Sequence, residues 1–264
     1  MLGDYDTERD KFLATSHGKF NFGAWNPRGI HAPSAAPDGE GGVIVIFNMN
    51  EAKATEGWNR IMSLARQLTL LEDGTLGIEP AGHPESLRYD HQHIGAMTLP
   101  ANQEIVLENI GGNAMEIVAE IDPMDAPMIE LNVLRSPNKE EFTRIAFFKE
   151  RGLNESRTGV RLPPEKNIYA SLITIESSYS SILPDVRSRA PETAPIALRW
   201  KEPLKLRVFV DKSVVEVFVN GRQCVAMRVY PSLKESIGVS LRSQGQESKL
   251  LSLDAWQMRS IYED

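Results

Sequence analysis

Leu204-Lys205-Leu206-Arg207-Val208-Phe209-Val210-Asp211-Lys212-Ser213-Val214-Val215-Glu216-Val217-Phe218-Val219-Asn220-Gly221 is the stretch on which the fold turns. Leu204, Leu206, Val208 and Val210 occupy every second position, and so do Val215, Val217 and Val219. Side chains of an extended strand alternate between its faces, so each run puts its apolar residues on one side of a sheet. Asp211-Lys212-Ser213 turns the chain between the runs, and Asn220-Gly221 follows the second. Both residues of Asn-Gly tolerate positive φ, which makes the pair a strong hairpin signal between two strand patterns. Arg222 to Tyr230 then reads as the returning strand, ended by Pro231.

Outward from this hairpin the same grammar recurs. Met115 to Ile121 and Met128 to Leu134 alternate like half-buried strands. Val43-Ile44-Val45-Ile46-Phe47 is a continuous apolar run, predicted to be a strand buried on both faces. Residues from Ile61 to Leu71 have helical propensity, but Ser63 to Leu70 alternates polar and apolar, which favours a strand. Glu72-Asp73-Gly74 is a turn, with a short strand, Thr75 to Ile78, after it. Residues 80–98, with Pro80, Gly82, Pro84, Gly95 and three histidines, lose regularity and mark the expected boundary. Residues 184–203 carry four prolines and are predicted to be a long loop. Many short strands separated by turns point to an antiparallel sandwich or barrel, and no internal repeat of fixed period is evident.

Composition narrows the partners. Of 264 residues, 41% are hydrophobic and 25% charged, enough apolar material for a substantial core. A net charge of −7 argues against nucleic acid, whose binding needs clustered Lys and Arg. No run approaches the ~18 apolar residues of a membrane span. Cys224 is the only cysteine, so an internal disulfide and a multi-cysteine metal site are both excluded. Met1 to Asp6 has neither the basic head nor the apolar stretch of a signal peptide, and the compartment stays open.

Local chemistry is sparse. His91-Gln92-His93 puts two imidazoles on one side of a strand, where a metal would need carboxylates to join them. The pair is read as solvated histidines, and no metal or cofactor is assigned. Cys224 lies in an apolar pattern and reads as a small buried hydrophobe. Gly39 to Gly42 is a turn, without the Lys-Ser or Lys-Thr of a phosphate loop.

Several motifs, taken in order, carry a family resemblance. Leu2 to Phe12 resembles the stretch after the acid/base region in β-fructosidases of glycoside hydrolase family 32. Ile30-His31-Ala32-Pro33-Ser34, Gly42 to Asn50 and Glu56 to Leu64 are similar to that family's final propeller blade. Leu64-Ala65-Arg66-Gln67-Leu68 stands where the family usually has Leu-Pro-Arg-Glu-Leu. Glu85-Ser86-Leu87-Arg88 resembles the exit toward a second domain, and Val210 to Gly221 resembles its sandwich. The implied fold is all-β: the last one to two blades of a five-bladed β-propeller (residues 1–85), a linker (86–95) and an antiparallel β-sandwich (96–264).

Family members cleave or transfer fructosyl units of sucrose, inulin or levan, so the implied partner is a fructose-containing oligo- or polysaccharide. The resemblance also implies three working carboxylates, in Trp-x-Asn-Asp-Pro, Arg-Asp-Pro and Glu-Cys-Pro segments that precede the point matching Met1. Trp25-Asn26-Pro27, Ile121-Asp122-Pro123 and Gln223-Cys224 do not reproduce them, and no catalytic residue is assigned. What is carried over is part of a sugar pocket: His31, where the family often has Tyr, Met49, near a family Trp, and Trp58. Trp25, Trp200 and Trp256 read as core or surface. The alternatives are a non-catalytic sandwich module that binds carbohydrate or protein, and one half of a split glycosidase. Exposed blade edges lead one to expect self-association or a separate amino-terminal half.

Overall fold

The computed structural model describes residues 2–16, 18–23, 29–151, 169–187 and 189–262. Among them the named strands all pair antiparallel. The amino-terminal part holds β1 (Leu2–Asp6), β2 (Lys11–Ser16), β3 (Ile30–Pro37), β4 (Val43–Met49), β5 (Ile61–Met62), β6 (Arg66–Leu70) and β7 (Leu76–Pro80). After a 3-10 turn at Pro84–Leu87 come β8 (Arg88–Ile94), β9 (Met97–Leu99), β10 (Glu104–Gly111), β11 (Ala114–Asp122) and β12 (Met128–Arg135). Next are β13 (Thr143–Phe148), β14 (Tyr169–Glu176), β15 (Glu192–Leu198) and β16 (Leu204–Asp211). The series closes with β17 (Val214–Val219), β18 (Gln223–Arg228), β19 (Gly238–Gln244) and β20 (Ser248–Met258). No helix among the described residues is long and apolar enough to cross a membrane, which says nothing about β-barrels.

Two sheets form the sandwich. One runs β10-β19-β12-β13-β14-β15, the other β18-β17-β16-β11-β20-β8, with β9 also on β20. Their facing side chains make one core: Leu131, Ile145, Ile173 and Leu241 from the first meet Ile117, Val208, Val217 and Leu253 from the second. Each of these is essentially withdrawn from water. Two sheets with apolar inner faces are stable only when each covers the other, which is the physical content of the alternation in the sequence.

The hairpin of β16, β17 and β18 forms as its residues dictate. Asp211 pairs Val214 across a turn in which Lys212 has a φ of 51°. At the next turn Asn220 and Gly221 have φ of 49° and 63°, and Arg222 N–H donates to Val219 O at 3.0 Å. Asn220 also locks the turn onto the preceding loop, donating Nδ2–H to Pro203 O at 2.9 Å and accepting from Lys205 N–H at 3.0 Å. All six residues of β17 are buried. Val215, Val217 and Val219 face the sandwich core, while Val214 and Phe218 face outward onto the amino-terminal sheet.

That amino-terminal sheet is ordered β3-β4-β6-β7, with β5 on β4. Ile30, Val45, Phe47 and Met49 pack with Val214 and Ala226 of the sandwich, and Phe20 fills the edge of the cluster. A backbone bond from Ile78 N–H to Gly221 O, 2.8 Å, ties β7 to the hairpin turn. The β1–β2 hairpin pairs with no other strand among the described residues.

Four expectations change. The Val43 to Phe47 run is covered on one face only: Val45 and Phe47 are buried, whereas on the opposite face Ile44 is exposed and Ile46 half-buried. Residues 88–94 are not irregular, because β8 pairs β20 along Leu253↔Ile94 to Met258↔Arg88 and extends the seven-stranded sheet. Residues 184–203 contain β15 rather than loop alone. Pro195 is tolerated there because β15 is an edge strand, where a missing N–H costs no ladder bond on the open side. Finally, β12 is buried along its whole length, because it lies between β19 and β13 with its outer face also covered.

Candidate functional site

The amino-terminal sheet and the sandwich meet along a seam with a charged centre. Glu216 stands between Val215 and Val217, so strand alternation turns it away from the sandwich core and toward the other sheet. There its Oε2 accepts from Arg66 Nη2 at 3.1 Å and its Oε1 from Leu64 N–H at 2.5 Å. Arg66 and Glu216 are 0% and 1% exposed. The Arg66 guanidinium lies 5.0 Å from the Phe47 ring centroid and 6.0 Å from that of Phe218. Burial pushes the Glu216 carboxyl up, against the pull of Arg66. Cys224 is beside this pair, and burial pushes its thiol up to about 12, far from a nucleophile's range.

A cleft of about 500 Å³ opens along the same seam, lined by Ile61 to Leu64, by Phe209 to Lys212, and by the segment Met258 to Tyr262. Its two carboxylates are Asp211 and Glu216. They do not make an acid/base pair: both Glu216 oxygens are engaged by Arg66 and Leu64, and Asp211 is on the exposed end of β16. The walls are mainly apolar.

The three residues expected to hold sugar do not share a face. His31 pairs Asn48 and Ile30 pairs Met49, so His31 and Met49 point to opposite sides of the sheet. Met49, 1% exposed, is in the cluster with Val45 and Phe47. His31 is half-buried, and its Nδ1 is enclosed without a hydrogen-bond partner among the described residues. Trp58 is 46% exposed and covers the guanidinium of Arg228, 5.2 Å from the ring centroid. Trp200 is exposed, and Trp25 lies outside the described residues.

His91 and His93 do project from one side of β8, and a carboxylate does join them. Asp254 Oδ1 is 2.7 Å from His91 Nε2 and 2.8 Å from His93 Nδ1. Partial burial raises the Asp254 carboxyl, but the hydrogen bonds of His93 and His91 outweigh it and hold the group below its ordinary range. His91 also stacks on Trp256, centroids 4.8 Å apart. Among the described residues no group of three or more His, Cys, Asp or Glu is arranged to hold a metal ion.

The motifs that carry the resemblance are therefore where the two sheets grip each other. Arg66 comes from Leu64-Ala65-Arg66-Gln67-Leu68, and Glu216 from Val215-Glu216-Val217. The sequence model described as "Glycosyl hydrolases family 32 C terminal" matches residues 84–257, a span that contains Glu216 and the whole hairpin. The chain belongs to glycosyl hydrolase family 32. Its relatives within the family include an insoluble beta-fructofuranosidase isoenzyme of Arabidopsis thaliana, 35% identical over 136 residues, which are 49% of this chain and 21% of the relative. The sucrose-6-phosphate hydrolase of Escherichia coli is 28% identical over 83% of this chain and 42% of its own length. The fold of the family 32 chain matches that of fructan 1-exohydrolase IIa from Cichorium intybus with a TM-score of 0.82 at 17% identity. That match covers 98% of this chain and 54% of the other. The chain thus spans less than half the length of these curated relatives.

Sequence reasoning missed the groups that fix the seam and the loops. Glu141, fully buried, accepts hydrogen bonds from the N–H of Ile182, Ser232 and Leu233 and from the hydroxyls of Ser232 and Ser236. Burial works against its charge, yet these donors outweigh it and hold the carboxyl down to about 2. Glu192 is the opposite case. It accepts from Phe22 N–H at 3.2 Å, and burial pushes it up to about 7. A Cβ at Gly23 or Gly29 would collide with its carboxylate, so these glycines allow the close approach. The one signal available was a charged residue inside an apolar alternation, as at Glu216.

Proposed function

We propose that this chain is the carboxy-terminal part of a retaining β-fructofuranosidase-type hydrolase, supplying the last propeller strands and the sandwich. The observation that carries the reading is the family match over residues 84–257, together with a fold likeness that extends through the amino-terminal sheet. In this reading β3 to β7 form the final blade, and His31 on β3 offers its imidazole to a fructosyl hydroxyl once the sheet is part of a complete propeller. The substrate class is a β-fructofuranoside such as sucrose, inulin or levan. Retaining hydrolysis needs two carboxyl groups about 5–5.5 Å apart, one as nucleophile and one as acid/base. The acids lining the seam cleft cannot fill those roles, since Glu216 is committed to Arg66. In this reading the working carboxylates come from a polypeptide segment other than residues 1–264, as the family resemblance implies.

Pure chain incubated with sucrose, 1-kestose or inulin is expected to release no fructose above a buffer control. Release of fructose by the chain alone would overturn the proposal. Joined to the polypeptide encoded immediately upstream of Met1, the chain is expected to gain turnover, and His31→Ala in that longer protein raises KM more than it lowers kcat.

A further inference from the structure

Arg228 ends β18 on the face turned to the amino-terminal sheet, two positions after Ala226 of the seam cluster. It is 1% exposed, and its Nε, Nη1 and Nη2 all lack an acceptor among the described residues. A guanidinium is permanently charged and carries five N–H donors in a planar fork. Buried charges in proteins are paired or hydrogen-bonded, so one with three unanswered nitrogens is a departure that requires a cause.

Its surroundings narrow the cause. The guanidinium lies 5.2 Å from the centroids of both Trp58 and Tyr230. The Tyr230 hydroxyl accepts from Ala52 N–H at 3.0 Å, which fixes the ring. Arg189, 8% exposed, holds the Asn50 and Glu51 carbonyls through Nη2, and its Nε has no acceptor among the described residues. Arg187 approaches Glu51 at 3.8 Å. Glu51 is the carboxylate whose charge acts on Arg228, yet the two share no hydrogen bond, and Glu51 Oε2 has no partner among the described residues. Burial lowers the proton affinity of both Arg228 and Arg189, as expected where positive charge is not locally answered. Arg228 and Arg189 are buried here and Arg187 is at the rim, against the carboxyls of Glu51 and Glu192, so arginine outnumbers acid.

We propose that Arg228 anchors an oxyanion site that takes one compact anion of the phosphate or carboxylate class, with Trp58 as its cover. The fork of a guanidinium matches two oxygens of such an anion, and aromatic walls hold the fork in place. Trp58 is the one half-exposed wall, and its loop is held by the single-residue bridge Thr55↔Trp58, so the indole is the part that moves to admit the ion. A compact ion fits this geometry better than a side chain of another protein, which would have to pass Trp58 while still attached to its backbone. The site stands independently of the proposed hydrolysis.

The test uses the chain as it is. Inorganic phosphate and, separately, acetate are titrated at constant ionic strength against sodium chloride, with tryptophan fluorescence and melting temperature as readouts. One of the two anions is expected to change the fluorescence saturably and raise the melting temperature by about 5 °C at a hundredfold excess over Kd. Which of them does so separates the phosphate source from the carboxylate source. Arg228→Met is expected to abolish both signals. Arg228→Lys, which keeps the charge and loses the fork, weakens binding at least about tenfold and serves if the Met variant does not fold. An equal response to chloride, a response that persists in either variant, or no response to phosphate and acetate overturns the site. In the last case the guanidinium is left for an acceptor on another polypeptide.

Discussion

The sandwich and the amino-terminal sheet are built from the same kind of strand but stand on different footings. In the sandwich, each sheet's apolar face is covered by the other, and the core runs without a break from Leu131 and Ile173 to Val208 and Leu253. The amino-terminal sheet covers one face, and part of that cover, Val214 and Ala226, is borrowed from the sandwich. Its other face leaves Ile44 exposed, and its open edge strand, β3, carries Pro33 and Pro37, which blunt that edge against further pairing. The lesson is that the second region is stable only as far as the seam holds.

The seam's centre is therefore the place to break this dependence. Replacing Glu216 by Ala leaves Arg66 fully buried and unpaired, which costs about 3–5 kcal/mol. Urea denaturation is expected to show that loss. The paired change Arg66→Met with Glu216→Leu, which removes both charges and keeps the volume, recovers most of it. A Glu216→Ala variant as stable as the parent would mean that the sheets do not depend on this contact.

Within each region, burial sets the next effects. Leu131→Ala opens a cavity in the sandwich and costs about 2–5 kcal/mol. Ile44→Ala, on the uncovered face, changes stability by about 0.5 kcal/mol or less. The contrast reverses if Ile44 is shielded in solution by self-association, which sedimentation would detect. Amide exchange should follow the same order, with β3 to β7 opening before β11 and β12.

Two glutamates sharpen the comparison through pH, with opposite signs. Glu192 touches the amino-terminal part at Phe22, and its folded pKa, about 7, is above the 4.5 of an unfolded carboxyl. Between these values the folded chain holds the extra proton, so Glu192 makes stability fall as pH rises from about 4.5 to 7. The effect is about 3 kcal/mol, and Glu192→Gln removes it. Glu141, inside the sandwich loops, is held at about 2, so its contribution is present above 4.5 and is lost as pH falls toward 2. Thermal melts from pH 3 to 8 on Glu192→Gln and Glu141→Gln should each flatten one slope and leave the other intact.

What the sequence revealed follows the range of the interactions. Strand alternation and the Asn220-Gly221 turn are local, and the hairpin formed as written. The ordered run of family motifs located the kinship, even though each motif alone is weak. What stayed hidden was set by partners far along the chain. Pro195 looked like loop because its tolerance depends on β15 lying at an edge, which no local pattern encodes. His91 and His93 are exposed, as read, but their shared hold on Asp254 stayed hidden because that residue is more than 150 positions away. Glu216 forms its buried ion pair with Arg66, 150 positions away, a partner that no local pattern names. Met49 was assigned to a sugar pocket by resemblance, yet its pairing with Ile30 directs it into the apolar cluster.

The smallest expected effect tests whether charge or burial is what matters at the seam. Arg199 and Asp73 form a second ion pair between the two regions, with Nη2 and Oδ2 2.6 Å apart. Asp73 is held at about 2, first by the Thr75 hydroxyl and backbone N–H and then by Arg199. By distance this pair is shorter than Arg66–Glu216, but both side chains lie in solvent, where water and salt screen the attraction and ordering two side chains offsets it. Arg199→Ala should therefore melt with the parent, and adding salt should not separate the two. If Arg199→Ala instead loosened β3 to β7 as Glu216→Ala does, proximity would count for more than desolvation at this seam, and the ranking drawn here would invert.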